Sequence, residues 1–279
     1  MKLCLGTVQF GTNYGISNRN GQVPLEEVGK ILDYAKSVNI EALDTAYLYG
    51  NSEEALGNFN LSSFKVVTKT VKLNSELSLE DNVNCFERAF NESLSRLRLN
   101  SVYALLYHEA NDILKEDAIF QWGRTLKEEG KVKKLGVSVY TPEQLIEIME
   151  RYSIDIVQLP LNILDQRFVP LLKVLKKRGI EVHVRSIFLQ GLLLMEADTL
   201  GPYFDEIKPL LKRLPQPALA HAINFVRSFN EIDKIVVGTT CLKDLIEIVN
   251  AYNDKLEVED YSKFSISDER FILPQNWVR

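Results

Sequence analysis

Four side chains in this sequence carry the groups needed to move a proton on or off an oxygen: Asp44, Tyr49, Lys69 and His108. A phenol such as Tyr49 is a proton donor with an ordinary pKa of about 10, and an ammonium beside it favours its anion. A carboxylate can hold that ammonium in place, and an imidazole can bond a polarised oxygen. Taken singly, each residue also has an ordinary structural role. Asp44-Thr45 can cap a turn, Lys69 can sit in solvent, and His108, after Leu105-Leu106-Tyr107, can be a hydrogen-bonded core histidine. Their positions join them: Asp44, Lys69 and His108 each close a short β-branched run, and Tyr49 lies just beyond the first. The histidines His108, His183 and His221 have no metal-ligand spacing, so no metal site is expected.

The elements that must position these groups alternate regularly. Strands are expected at Leu3–Thr7, Ile40–Asp44, Lys65–Thr70, Val102–His108, Lys134–Val139, Ile154–Pro160, Glu181–Ser186 and Lys234–Thr239. Several are apolar over consecutive residues, as parallel strands covered on their outer face are. Between them lie helical periods. Leu25, Val28, Leu32 and Ala35 share a face, as do Val83, Phe86, Phe90, Leu94 and Leu97. Thr141-Pro142-Glu143-Gln144 reads as a capping box, and Gly179 after Lys176-Lys177-Arg178 as a helix end. The seventh crossover, Leu192–Ile232, is long enough for a loop and more than one helix. Eight strands alternating with helices predict a (β/α)8 (TIM) barrel, one domain over residues 1–279. Chemistry on that fold sits at the C-terminal ends of the strands, where these four residues fall and where strand six brings Gln158.

Composition narrows the function classes. With 33 Lys+Arg against 38 Asp+Glu the net charge is −5, which argues against nucleic acid or an anionic membrane as partner. No apolar stretch is long enough to span a bilayer, and Met1-Lys2-Leu3 leads straight into a strand. Cys4, Cys85 and Cys241 are scattered and read as reduced thiols, which points to the cytoplasm.

The order Asp, Tyr, Lys, His at strand ends resembles the aldo-keto reductase family, and the likeness covers nearly the whole chain. Its strongest part is Asp44-Thr45-Ala46-Tyr47-Leu48-Tyr49-Gly50-Asn51-Ser52-Glu53, then Leu56-Gly57, similar to the family's D-T-A-x-x-Y-G-x-S-E-x-x-L-G. Leu5-Gly6-Thr7, Gly136-Val137-Ser138, Gln158 with Asn162, Ser186 with Gln190-Gly191, and Val237-Gly238-Thr239-Thr240 resemble further family segments. The resemblance implies a catalytic tetrad of Asp44, Tyr49, Lys69 and His108, and reduction of an aldehyde or ketone by NADPH, with NADH as the alternative. It implies that Ser138 and Gln158 face the nicotinamide carboxamide and that Ser186, Phe188, Gln190 and Gly191 run along the pyrophosphate. Gly238, Thr239, Thr240 and Asp244 would meet the adenosine end, and Gly6, Thr7 and Arg185 complete the cofactor set. Lys69 is then expected to pull the Tyr49 phenol below its ordinary value.

The sequence departs from the family at three of these positions. Val139 stands where Asn is common, Arg185 where an aromatic residue stacks on nicotinamide, and Asp244 where an arginine holds the 2′-phosphate of NADPH. The chain given starts close to strand one, so other residues are expected to fill the barrel bottom that a family hairpin usually plugs. Phe10, Tyr14, Tyr47, Glu109, Arg185, Phe188 and Trp277 are candidates for the pocket mouth, with packing the alternative for most; Glu109, Arg185 and the tyrosines suit a polar or sugar-like carbonyl, and Arg185 a phosphate or an acidic substrate. Two readings compete: a cofactor-binding sensor on the same fold, and a Schiff-base aldolase with Lys69 as nucleophile. Oligomeric state is not encoded legibly.

Overall fold

Eight strands pair in sequence order and the last returns to the first, closing a parallel barrel. They are β1 (Leu3–Gly6), β2 (Ala42–Asp44), β3 (Lys65–Lys69), β4 (Val102–Tyr107), β5 (Val132–Ser138), β6 (Ile156–Pro160), β7 (Glu181–Arg185) and β8 (Lys234–Gly238). Helices cross between strands, so the architecture is the (β/α)8 barrel that the alternation predicts. The computed structural model describes residues 1–254, 256–257 and 259–277. Among these, no helix is long and apolar enough to cross a membrane.

Local rules place the elements. The Leu25–Ser37, Leu79–Leu97, Asp117–Glu128 and Val169–Lys177 helices end alike, each before a residue in the left-handed region: Asn39, Arg98, Gly130 and Gly179. The next N–H then closes the last turn, for example Ile40 to Ala35 O at 2.9 Å. That contact explains why β2 starts at Ala42 rather than at Ile40, whose N–H belongs to the helix end. The capping box is present: Gln144 N donates to Thr141 Oγ1, and Thr141 N donates back to Gln144 Oε1. The seventh crossover holds short 3-10 turns, one turn of helix at Lys208–Leu211 and the Ala218–Arg227 helix.

Side chains alternate along each strand, and the two parities have different work. Leu5, Leu43, Val66, Leu105, Leu135, Val157 and Val182 point outward into the main core beneath the helices. The other parity fills the barrel axis. Val67, Ala104, Leu106 and Ile156 form a separate apolar cluster at mid-height. Continuing each strand in steps of two reaches Asp44, Lys69, His108, Ser138, Gln158, Arg185 and Gly238 above that cluster, and Lys134 and Glu181 below it.

The lower end is filled by charge. Glu181 accepts hydrogen bonds from Tyr103 Oη at 2.7 Å, from His183 Nε2 at 2.7 Å and from Lys134 Nζ. Lys65, Lys133 and Lys134 surround the Tyr103 ring at 5.6 to 5.9 Å from its centroid. Burial alone would raise the Glu181 pKa, but these donors outweigh it and hold the carboxyl well below the usual range.

Candidate active site

The turn that carries Tyr49 is built by small residues. Tyr49 N donates to Ala46 O and Ser52 N to Tyr49 O, both at 3.0 Å. Gly11 packs against this turn so closely that a Cβ there would lie 1.8 Å from Tyr49 O. Ser52 Oγ donates to Thr7 O at 2.8 Å, and Thr7 Oγ1 donates to Asp44 O at 3.0 Å, tying the ends of β1 and β2 to the turn. Buried Glu53 accepts from Thr68 Oγ1 at 2.6 Å and fixes the same turn to β3, one residue before Lys69. The long motif is thus a brace between three strands.

Its product is a buried chain of polar groups. Lys69 Nζ lies 2.8 Å from both oxygens of Asp44, 2.8 Å from Thr45 O and 3.3 Å from Tyr49 Oη. Gln158 Nε2 donates to Asp44 Oδ1 at 2.7 Å. Burial would lower the Lys69 pKa, but the Asp44 charge outweighs it, so the ammonium is retained. The Tyr49 phenol behaves contrary to the sequence expectation. Burial raises its pKa, and Lys69 only partly offsets that, because the same ammonium is already committed to Asp44 and Thr45 O. The His108 ring meets the Tyr49 ring edge-on, with centroids 5.7 Å apart. Burial, then the charges of Lys69, Arg185 and Lys72, push the imidazole pKa down to about 3, so it is neutral at pH 7.

These groups open into a cavity of about 720 Å³. It runs from Asp44, Tyr49 and His108 past Ser138, Gln158 and Arg185, along Ser186, Phe188, Gln190 and Gly191, to Gly238, Thr239, Thr240 and Asp244, with Gly6 and Thr7 also lining it. Every cofactor position expected from sequence therefore lines one cavity, and Lys69 stands behind Asp44 and Tyr49. The Ser186–Gly191 segment is strained, with Ser186, Leu189 and Gln190 all in the left-handed region. Gly191 there has φ +95, and a Cβ on it would lie 1.9 Å from Ser17 Oγ.

Several details differ from expectation. Gln158 has its amide nitrogen on Asp44, leaving its oxygen as the group available to a carboxamide. Asp244 turns back on its own helix start, accepting from Thr240 N at 2.9 Å and Thr240 Oγ1 at 2.7 Å. Burial raises its pKa, but those bonds prevail and keep it ionised. Leu242 N, the first amide of the Leu242–Asn253 helix, donates to Glu27 Oε1 at 2.7 Å. Two amides at this end thus already face carboxylates. Lys243, 83% exposed, leans toward Glu247. At the pocket mouth, Tyr14, Arg185 and Phe188 line the cavity. Phe10 is core, Trp277 is buried with its N–H on Phe271 O, and Glu109 caps a helix. Tyr47 bonds Glu92 and lies under Arg96.

The sequence reading named Tyr14 but missed the rest of the β1 loop. Residues 12–22 cross the cavity as a strap: Ile16 N donates to Gln190 O at 3.1 Å, and Asn20 Nδ2 to Thr240 Oγ1 at 3.2 Å. Its signal was present, since a long Asn/Gly/Ser loop at the C-terminal end of a barrel strand lies at the functional face. Gln9, Tyr140 and Glu247 also line the cavity.

Comparison with known proteins decides the lineage. Residues 2–268 match the profile of the aldo/keto reductase family. The chain belongs to that family. The uncharacterized oxidoreductase YqkF of Bacillus subtilis is 21% identical over 258 residues, 84% of each chain. Among solved structures, the holo form of the aldo-keto reductase AKR11C1 from Bacillus halodurans superposes with a TM-score of 0.74 at 20% identity, over 94% of this chain and 89% of that one. The glycerol dehydrogenase AKR11B4 from Gluconobacter oxydans gives 0.70 at 20% identity, with the same coverage. This aldo/keto reductase family member thus shares its barrel with oxidoreductases along nearly its full length.

Proposed function

We propose that the protein reduces an aldehyde or ketone to an alcohol with NADPH or NADH, with Tyr49 as proton donor. The observation that carries this reading is the buried Asp44–Lys69–Tyr49 chain, which ends in the cavity beside His108. The cavity fits an extended dinucleotide. Its size is within the usual range for bound small molecules, about 300–1,000 Å³, and Oε1 of the lining residue Gln9 is buried with no protein hydrogen-bond partner. Ser138, Gln158, Ser186, Gln190, Gly191, Gly238, Thr239 and Thr240 would hold the cofactor. When bound, it supplies the hydride.

The remaining steps belong to the chain. Tyr49 keeps its proton at neutral pH because burial disfavours the phenolate. Lys69, 3.3 Å away, stabilises that phenolate once the proton has moved to the carbonyl oxygen. Asp44, held from the far side by Gln158, keeps Lys69 charged and in place. Neutral His108 presents Nε2 to the carbonyl oxygen, its Nδ1 being buried. The same ion pair argues against Schiff-base chemistry, which needs a neutral lysine. The free cysteines suit a reducing compartment, and we assign the protein to the cytoplasm.

The test is turnover on an aldehyde panel with each cofactor, alongside a fluorescence titration. Tyr49→Phe is expected to lower kcat by about 100- to 10,000-fold while cofactor binding persists. Tight cofactor binding with no turnover in the native protein would favour a sensor instead. Asp244, Glu247 and Glu27 oppose a 2′-phosphate, so NADH is expected to bind at least as tightly as NADPH. Asp244→Arg is expected to shift the ratio of dissociation constants toward NADPH by about ten-fold or more.

A further inference from the structure

Arg185 is a cation at the proposed chemical end of the cavity that no carboxylate among the described residues neutralises. It closes β7, half-buried, with its guanidinium 4.4 Å from the Tyr140 ring centroid. It donates to Val139 O at 3.1 Å and to Ser186 Oγ at 3.3 Å. Both acceptors are neutral, and they engage two of the five N–H donors a guanidinium has. Among the described residues no Asp or Glu oxygen comes within salt-bridge distance of it. The other lining cation, Arg19, is exposed on the strap. Of the lining carboxylates, Asp44 is neutralised by Lys69. Its bond to Val139 O and its stacking on Tyr140 place it beside the end of β5, next to Ser138.

A guanidinium that faces a cavity and meets only neutral acceptors is a ready partner for an anion that enters it. We infer that this partner is part of the substrate and not of the cofactor, whose set Arg185 joins in the family pattern: Arg185 receives a carboxylate, so the protein acts on aldehydes or ketones that also carry a carboxylate. The inference rests on the reductase reading for its reaction, and on Arg185 for its substrate class. A guanidinium fork with free donors matches a planar, singly charged carboxylate. A phosphate dianion would exceed the one unbalanced positive charge at this end. Tyr14 and Tyr140 line the same cavity, the Tyr140 ring under the guanidinium.

Matched four-carbon aldehydes test this: succinic semialdehyde carries the carboxylate and butanal lacks it. In the native protein kcat/KM is expected to favour succinic semialdehyde by about 10- to 100-fold, the worth of one charged hydrogen-bonded contact. In Arg185→Gln that ratio is expected to collapse toward one. Arg185→Lys, which keeps the charge and loses the fork, is expected to fall between. A second arm needs no turnover: calorimetric titration of the cofactor-loaded protein with unreactive butyrate. Saturable binding in the native protein that Arg185→Gln loses supports the assignment. A native ratio near one, a ratio that survives in Arg185→Gln, absent butyrate binding, or a loss confined to cofactor affinity overturns it. No turnover of any carbonyl would sink the reductase reading, while the butyrate arm still decides Arg185.

Discussion

Two ion clusters share the inside of this barrel, one at each end of the strands, the upper more deeply buried than the lower. Above the apolar layer of Val67, Ala104, Leu106 and Ile156, Lys69 bonds Asp44, Thr45 O and Tyr49. Below it, Lys134, Tyr103 and His183 converge on Glu181. Both contain a carboxylate, an ammonium and a phenol, and both shift the pKa of their members. Composition alone would not tell them apart. The difference lies in what is left over. The upper chain ends in Tyr49 at the wall of a large cavity, with His108 and Arg185 facing the same space. The lower cluster folds its donors onto one carboxylate and lines none of the larger pockets among the described residues. A perturbed titratable group therefore marks a candidate active site only together with an opening and unengaged donors.

Substitutions can break that contrast. The largest effect is expected from Lys69→Met. It leaves the buried Asp44 charge uncompensated, at a stability cost of about 3–5 kcal/mol, and lowers kcat/KM by about 1,000-fold. Chemical denaturation and steady-state kinetics measure the two losses. Retained activity would show that the upper cluster is structural like the lower one. Glu181→Gln is expected to do the reverse: a stability loss of about 2–4 kcal/mol with kcat/KM per folded molecule unchanged. An equal fall in activity would erase the distinction.

The clusters also separate by pH. Glu181 is held below its unfolded value of about 4.3, so its contribution to stability is present above that pH. It is lost as pH falls toward the lower folded value. Denaturation midpoints in the native protein are expected to drop more steeply below about pH 4 than in Glu181→Gln. The upper cluster is expected to act at the other extreme. Reduction needs the protonated Tyr49 phenol, whose pKa burial raises. The rate should therefore stay level from about pH 6 to 9 and decline only above about pH 10. A decline beginning near pH 8 would mean that Lys69 dominates after all. This is the smallest of the expected effects.

The sequence made one end of this comparison far more legible than the other. Strand ends and the Asp44–Glu53 motif mark the upper site, because chemistry on this fold is confined to one rim and the motif is long. The lower cluster joins Tyr103, Lys134, Glu181 and His183 from β4, β5 and β7, and nothing local links them. The strap was missed because its contacts, Ile16 to Gln190 and Asn20 to Thr240, cross most of the chain. The direction of the Tyr49 shift was misjudged for a related reason. Residue types reveal that a lysine is near, but not that two stronger acceptors already claim it. Nor does the sequence reveal that Asp244, while lining the cavity, also accepts two hydrogen bonds from Thr240.

The alternation of inward and outward side chains constrains how such a chain can diversify. A single-residue insertion within β3 or β6 would exchange Lys69 or Gln158 with an outward core residue, losing site and packing in one step. Changes of length are therefore confined to the connections, above all residues 12–22 and the long segment after β7. New specificities can arise there, or by replacement at fixed strand ends as at Arg185, while the reacting groups stay in register.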